Sequence, residues 1–414
     1  MGRLSCGRAQ VCSKRARRQS RRALKGRRRQ AAPQSYSPGD AIARARGLAA
    51  AFAVFGLFWG GWAACLPAIQ RQTGASEAQL GLALLCVALA ALPAMLAAGR
   101  LADVLGARLV PIGLVLFGAA ATLPGLARSF PQLALLMLAV GVTTGLLDIA
   151  INAHASRLEA VHRVRFMDGL HAAFSFGVLV GGIGTGLLRR AGAHPSWILG
   201  SVGLVVAVTA LANRGSSLPS ASAPRRAPIA RPLLVVGLVL ALAFVVESGL
   251  EGWSALFLER VLNSSPAVSG LGPGLFAGAM ATGRVFAQKV ERSSVAGRML
   301  LAGLAAAAGL VLVATAQHAI VALAGLVVAG AGLALSAPTL FGLAGRIGGE
   351  GGRGSALSTV AILGYLGFLA GPALIGAVSG ASSLRGGFLF LCAVAVLLAA
   401  CAPALRRTVG ETGG

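Results

Sequence analysis

Gly145-Leu-Leu-Asp148-Ile-Ala-Ile-Asn152-Ala-His154 places one acid inside an apolar run long enough to be a membrane helix. An ionisable side chain in such a helix is costly, and by default it marks a substrate or ion pathway. Asn152 stands four residues on, so it shares a helix face with Asp148. A short charged loop follows, then His171-Ala-Ala-Phe174-Ser175-Phe-Gly177 and a glycine-rich apolar stretch reaching Gly186. The rest of the chain repeats this apolar texture many times.

Of 414 residues, 56% are hydrophobic and 12% are charged, and the mean hydropathy is +0.78. A soluble chain of this length could not hide so much apolar surface. Runs of about 20 apolar residues span a bilayer as helices. They recur near 47–69, 79–98, 109–127, 131–153, 168–188, 195–213, 232–257, 267–286, 299–316, 319–343, 355–378 and 385–404. The alternating ten-residue strands of a membrane barrel are not seen. The expected fold is an all-α integral membrane protein, with twelve transmembrane helices in two six-helix halves. Residues 1–46 read as a basic tail, 47–213 as the N-terminal half and 214–231 as a Ser, Pro and Arg-rich linker. Residues 232–405 read as the C-terminal half and 406–414 as a short tail, in a chain expected to be a monomer.

Charge orients this scaffold. With both termini cytoplasmic, 31 of the 37 Lys and Arg fall on the inner side, as the positive-inside rule requires of a bacterial inner-membrane protein. Arg189 and Arg190 are the dissenters, on the expected outside. The tail holds fourteen Lys and Arg against one acid, Asp40, and reads as disordered. It is either passive, including an extension from a misassigned gene start, or an anchor to anionic membrane lipid. It lacks a signal peptide's apolar centre directly after the charges. No aromatic interleaves with its arginines before Tyr36, so nucleic acid is not an expected partner. The six cysteines show no disulfide or metal spacing; Cys65, Cys86, Cys392 and Cys401 sit in or beside apolar runs and read as packing. No metal and no cofactor is expected.

Between spans two and three stands Gly99-Arg100-Leu101-Ala102-Asp103-Val104-Leu105-Gly106-Ala107-Arg108. Glycines there permit a tight turn and close helix approach, and Asp103 can pair with an Arg or cap a helix. The segment resembles the G-x-L-a-D-r-x-G-r-r loop of the major facilitator superfamily. Gly283-Arg284-Val-Phe-Ala-Gln288-Lys289 is a weaker echo in the second half, with Gln288 where the family often carries an acid. Gly367-Phe-Leu-Ala-Gly371-Pro372 resembles the family's G-x-x-x-G-P packing motif. The resemblance covers residues 47–405. It implies the twelve-helix fold, a cytoplasmic gate at Gly99, Arg100, Asp103, Gly106, Arg108, Gly283 and Arg284, and helix packing at Gly367, Gly371 and Pro372. The Asp148–His154 and His171–Ser175 runs, with Glu247 and Trp253-Ser-Ala-Leu256, resemble a YbjJ/MosC-like bacterial subgroup of that family. Gly252 stands where that subgroup's acid before Trp is expected, and Glu251 stands one position earlier. The rhizopine association of one subgroup member tilts the substrate towards small polar solutes.

Asp148, Glu247 and Glu251 are the acids well inside spans, and no Lys or Arg is expected deep in any span. An acid in hydrocarbon without a cation can shed its charge by taking up a proton, which suits a proton coupler. Asp148, Glu247, Glu251 and His171 are therefore the proton-coupling candidates. Span boundaries put Asp148 roughly 9 Å and Glu247 roughly 22 Å from the cytoplasmic face, at 1.5 Å per residue, so the two are not expected to touch. Asp148 and Asn152 read equally as structural hydrogen-bond partners. His154 and His162 read as solvated loop residues. Phe52, Phe55, Trp59 and Trp62 form one stripe of span one, suited either to stacking on a ligand or to helix packing. Asn152, Phe55, Trp59, Trp62, Phe174, Trp253, Ser336 and Thr339 complete the substrate-cavity candidates, with Ser336, Pro338 and Thr339 marking a locally broken helix.

No Walker loop argues for ATP as the energy source, and no nucleophile–base or metal constellation argues for an enzyme. Two classes remain. One is a secondary transporter of a small neutral polar, cationic or amphipathic solute, proton-coupled as symport or antiport, rocking two halves about a midplane site. The other is a non-transporting sensor or partner-binding protein on the same scaffold.

Overall fold

Apolar runs bounded by capping residues give helices, and no strand occurs among the described residues. The structure, a computed structural model, describes residues 38–162, 167–213, 231–287 and 294–410. Most of the basic tail, most of the 214–231 linker, Gln288, Lys289 and the Asp103 side chain lie outside the described residues. The long helices are α1 Pro38–Thr73, α2 Glu77–Leu105, α3 Leu109–Thr122, α4 Phe130–His162, α5 Met167–Arg190 and α6 Pro195–Thr209. After the linker come α7 Arg231–Arg260, α8 Leu271–Ala287, α9 Val295–Thr315, α10 Ala319–Leu333, α11 Ser336–Ala381 and α12 Leu384–Ala400.

Local chemistry fixes several ends. Pro38 and Asp40 suit a helix start, and α1 begins there, ahead of the boundary expected at residue 47. The Ser76 hydroxyl accepts from the Gln79 N–H at 3.2 Å and Gln79 Oε1 accepts from the Ser76 N–H at 3.0 Å, a capping box that opens α2. Gly106 closes α2 with φ 56°, and its N–H donates to Ala102 O. That left-handed turn accounts for the second glycine of the 99–108 motif. Gly99 has no neighbour within 4 Å of where a Cβ would sit, so close helix approach is not its role.

Among the described residues, eleven helical stretches are long and apolar enough to cross a membrane. The remaining expected span is α8, which is 17 residues long and follows a separate turn, Pro266–Ser269. Gly270, Gly272 and Pro273 weaken the helix at that junction. The expected break in span ten is present: α10 stops at Leu333, and α11 starts at Ser336, two residues before Pro338. A second break, at Gly349 with φ 58°, divides α11 into the end of one span and the whole of the next.

The two sets of six helices pack alike. α2 lies on α4 and α3 on α6; correspondingly α8 lies on α10 and α9 on α12. α1 crosses α5 at Gly56 and Gly177, as α7 crosses α11. The sixes join through α2–α11 and α5–α8, two contacts that exchange when six is added to each helix number. Glycine is required where they meet: a Cβ on Gly376 would lie 2.6 Å from the Gly81 Cα, and one on Gly182 would lie 2.8 Å from Gly270 O. Leu89, Leu96 and Leu238 point outward, exposed by 60% or more, as lipid-facing residues do.

Candidate functional site

Helix length decides where the acids sit. α4 runs on to His162 rather than stopping near 153, so Asp148 stands 14 residues before its end, close to the helix middle. Glu247 is 13 residues before the end of α7, likewise central. The depth difference expected between them therefore disappears, because the charged end of α4 continues the helix beyond its apolar run.

Asp148 is tied on both oxygens. Asn152 Nδ2 donates to Oδ1 at 3.0 Å and to the Asp148 backbone carbonyl at 2.9 Å. The Tyr365 hydroxyl donates to Oδ2 at 3.0 Å. Tyr365 lies on α11, so this bond joins the first six helices to the second. Tyr365 is also within electrostatic reach of Glu247, which links the two acids the sequence kept apart.

Among the described residues, Glu247 has a cation although none lies deep in a span, because Arg284 reaches it from the last turn of α8. Arg284 Nη2 is 3.5 Å from Glu247 Oε1, with side-chain exposures of 28% and 15%. From that last turn the Arg284 side chain extends along the helix to reach Glu247 on α7. A long guanidinium stem can stay in apolar surroundings while its head meets an acid. Arg284 thus faces the acids rather than only closing a cytoplasmic loop. Gly283 beside it allows close packing: its Cβ would fall 2.7 Å from Ala334 Cβ. Glu251, one turn beyond Glu247, feels both Glu247 and Arg284. Glu247 and Glu251 thus share one arginine, while Asp148 is held by the neutral Asn152 and Tyr365.

The remaining candidates divide between packing and polar roles. Phe55 packs against Trp59, Phe117 and Phe174 at centroid distances of 6.5, 5.2 and 5.7 Å, and Trp62 is buried. The span-one stripe is therefore built into the α1–α3–α5 contact, with Trp59 and Phe174 only partly covered. His171 presents its ring edge-on to Phe52 at 5.3 Å. His154 is buried, not solvated, because α4 continues past it. Among the described residues, Trp253 Nε1 and Ser336 Oγ are buried with no hydrogen-bond partner, and Thr339 is buried nearby in sequence. Gly367 and Gly371 let α11 touch α7: Cβ atoms there would sit 2.2 Å from Ala241 O and 2.7 Å from Val245 O. Pro372 follows on the same helix, its carbonyl turned towards Gly81. In the 99–108 loop, Arg157 of α4 donates to Ala102 O at 3.1 Å, satisfying a carbonyl of the last turn of α2. Arg100 and Arg108 lie exposed on that loop.

Sequence reasoning missed Tyr365, Arg157 and the direction of Arg284. It also missed a cluster at the opposite end of the helices. There Arg189 grips Glu259 with both nitrogens, Nη1 to Oε2 at 3.0 Å and Nη2 to Oε1 at 2.9 Å. Arg71 reaches the same carboxylate at 2.6 Å. The charge dissent of Arg189 was the signal for it. An apolar groove of about 490 Å³ lined by Ala50, Leu204 and Val208 contains none of these acids.

Comparison with known proteins agrees with the geometry. The family model of the Major Facilitator Superfamily matches residues 48–367. An uncharacterised MFS-type transporter of Yersinia pestis is 30% identical over 384 residues, covering 90% of this chain and 98% of that protein. The membrane protein MosC of Rhizobium meliloti is 29% identical over 360 residues, covering 84% and 86%. Among solved structures, a bacterial homologue of the human lysosomal transporter Spinster, inward-facing and occupied, superposes with a TM-score of 0.71. It shares 17% identity and covers 89% of this chain and 97% of that one. With its twin six-helix packing and its acids at mid-helix, this chain belongs to the major facilitator superfamily: it is a multi-pass bacterial membrane transporter and not an enzyme.

Proposed function

We propose that this chain is a proton-coupled secondary transporter of a small polar solute, working by alternating access between its two sets of six helices. The observation that carries the reading is the central imbalance of charge, with Glu247 and Glu251 sharing Arg284 and Asp148 held by the neutral Asn152 and Tyr365. An acid in a low-dielectric interior is stable when paired or when protonated. A shortage of cations therefore favours groups that take up and release protons as access changes. The Tyr365–Asp148 bond supports the same reading, because it bridges the helix sets that must move apart. Asn152, Tyr365 and the central acids supply acceptors and donors suited to hydroxyl-rich or cationic solutes, while a surplus of acid disfavours strongly anionic ones. Trp253 Nε1 and Ser336 Oγ are spare polar atoms that a rearranged site could use. The expected orientation, with both termini inside, belongs to this proposal.

Ligand-induced stabilisation tests it. Purified protein is melted with sugars, polyols and cationic compounds at pH 6 and pH 8. A ligand of the native state raises the melting temperature by mass action. The reading expects a hit whose affinity depends on pH, and whose pH dependence is lost in Glu247→Gln or Asp148→Asn. A hit with the same pH dependence in both variants would remove these acids from the coupling.

A further inference from the structure

We infer that Glu259 is the bolt of an outer gate, held by Arg189 and Arg71, and that breaking this cluster is the charge-separating step of opening to the outside. The inference rests on the alternating-access reading above. Arg71 closes α1, Arg189 lies in the last turn of α5, and Glu259 lies in the last turn of α7. All three ends lie on the face expected outside. Two arginines thus come from the first six helices and the carboxylate from the second.

The bonds divide cleanly along that line. Arg189 Nη1 also donates to Ala64 O at 2.7 Å, which fastens it to α1 of its own six. Ser269, in the turn before α8, donates to Glu259 Oε2 at 3.1 Å and stays with the second six. Separation therefore strips Glu259 of both arginines while each side keeps its neutral partner. Arg189 suffers most, since its side chain is 3% exposed, whereas Arg71 is 50% exposed and already hydrated. A buried charge that loses its partner is strongly disfavoured. The same face holds the tight crossings of the two sixes, Gly182 on Gly270 and Gly81 on Gly376, so charge and packing close one mouth together. Placement of Arg189 against the positive-inside trend follows from this use.

Spin-label distances test the gate. In a background with all six cysteines replaced, labels at Arg128 and Gln317 report the outer mouth, and labels at Ser156 and Arg346 report the inner one; all four positions are exposed. Double electron–electron resonance should show two populations. Glu259→Gln should raise the outer-separated population about tenfold. Arg71→Ala, which removes only a half-exposed partner and leaves the fold intact, should raise it about twofold. Two populations whose ratio ignores both substitutions would overturn the gate while leaving alternating access standing. A single distance on both pairs in every variant would overturn alternating access itself, and the gate with it.

Discussion

Glu251 and Glu259 lie on one helix, eight residues apart, in opposite electrostatic company. Glu259 receives Arg189, Arg71 and Ser269, more donors than its charge demands. Glu251 shares the single Arg284 with Glu247 and adds a like charge to it. Counting acids alone would treat them as equals. On the proposed reading their partners suit them to different work: the saturated acid to holding two helix sets together, the undersupplied ones to trading protons or meeting a ligand.

Substitutions can break that contrast, beginning with the largest effect. Arg189→Met leaves Glu259 with the half-exposed Arg71 and the neutral Ser269, and should lower the unfolding free energy by about 3 kcal/mol in a denaturant melt. Unchanged stability would place the outer cluster among ornamental ion pairs. Tyr365→Phe removes one hydrogen bond but leaves Asp148 with Asn152, and a loss of about 1 kcal/mol is expected. Arg71→Ala should cost below about 1 kcal/mol, because its side chain is half exposed. Glu247→Gln should change stability least, within about 0.5 kcal/mol, since it removes an acid from an acid-rich group and leaves Arg284 partly solvated. Its effect should appear instead in the pH dependence of ligand binding. A destabilisation as large as that of Arg189→Met would make the central acids structural and erase the contrast.

Much of the scaffold was legible in the sequence because it rests on local chemistry. Apolar run length gave the helices, Ser336 and Pro338 marked the break before α11, and the four-residue spacing gave the Asp148–Asn152 bond. The Gly367–Gly371 spacing likewise marked a close-packing face of α11, which α7 fills. What periodicity cannot give is the partner across a crossing. Tyr365 and Asp148 are 217 residues apart, and Arg189 and Glu259 are 70 apart. Arginine adds its own ambiguity, since a long stem lets one residue at a helix end serve a loop or an acid. Arg284 read as gate chemistry for that reason. Asp148 read as too shallow because a charged helix end looks like a loop when apolarity sets the boundary.

Coupling between solute and proton is read from proton movement driven by a solute gradient. Protein reconstituted in vesicles with an enclosed pH-sensitive dye would be given a gradient of a solute found by thermal stabilisation. A solute-dependent change of internal pH is expected in the wild type, with solute binding but no such change in Glu247→Gln. Solute flux in the wild type with no pH change, or an unaltered pH change in Glu247→Gln, would contradict that coupling.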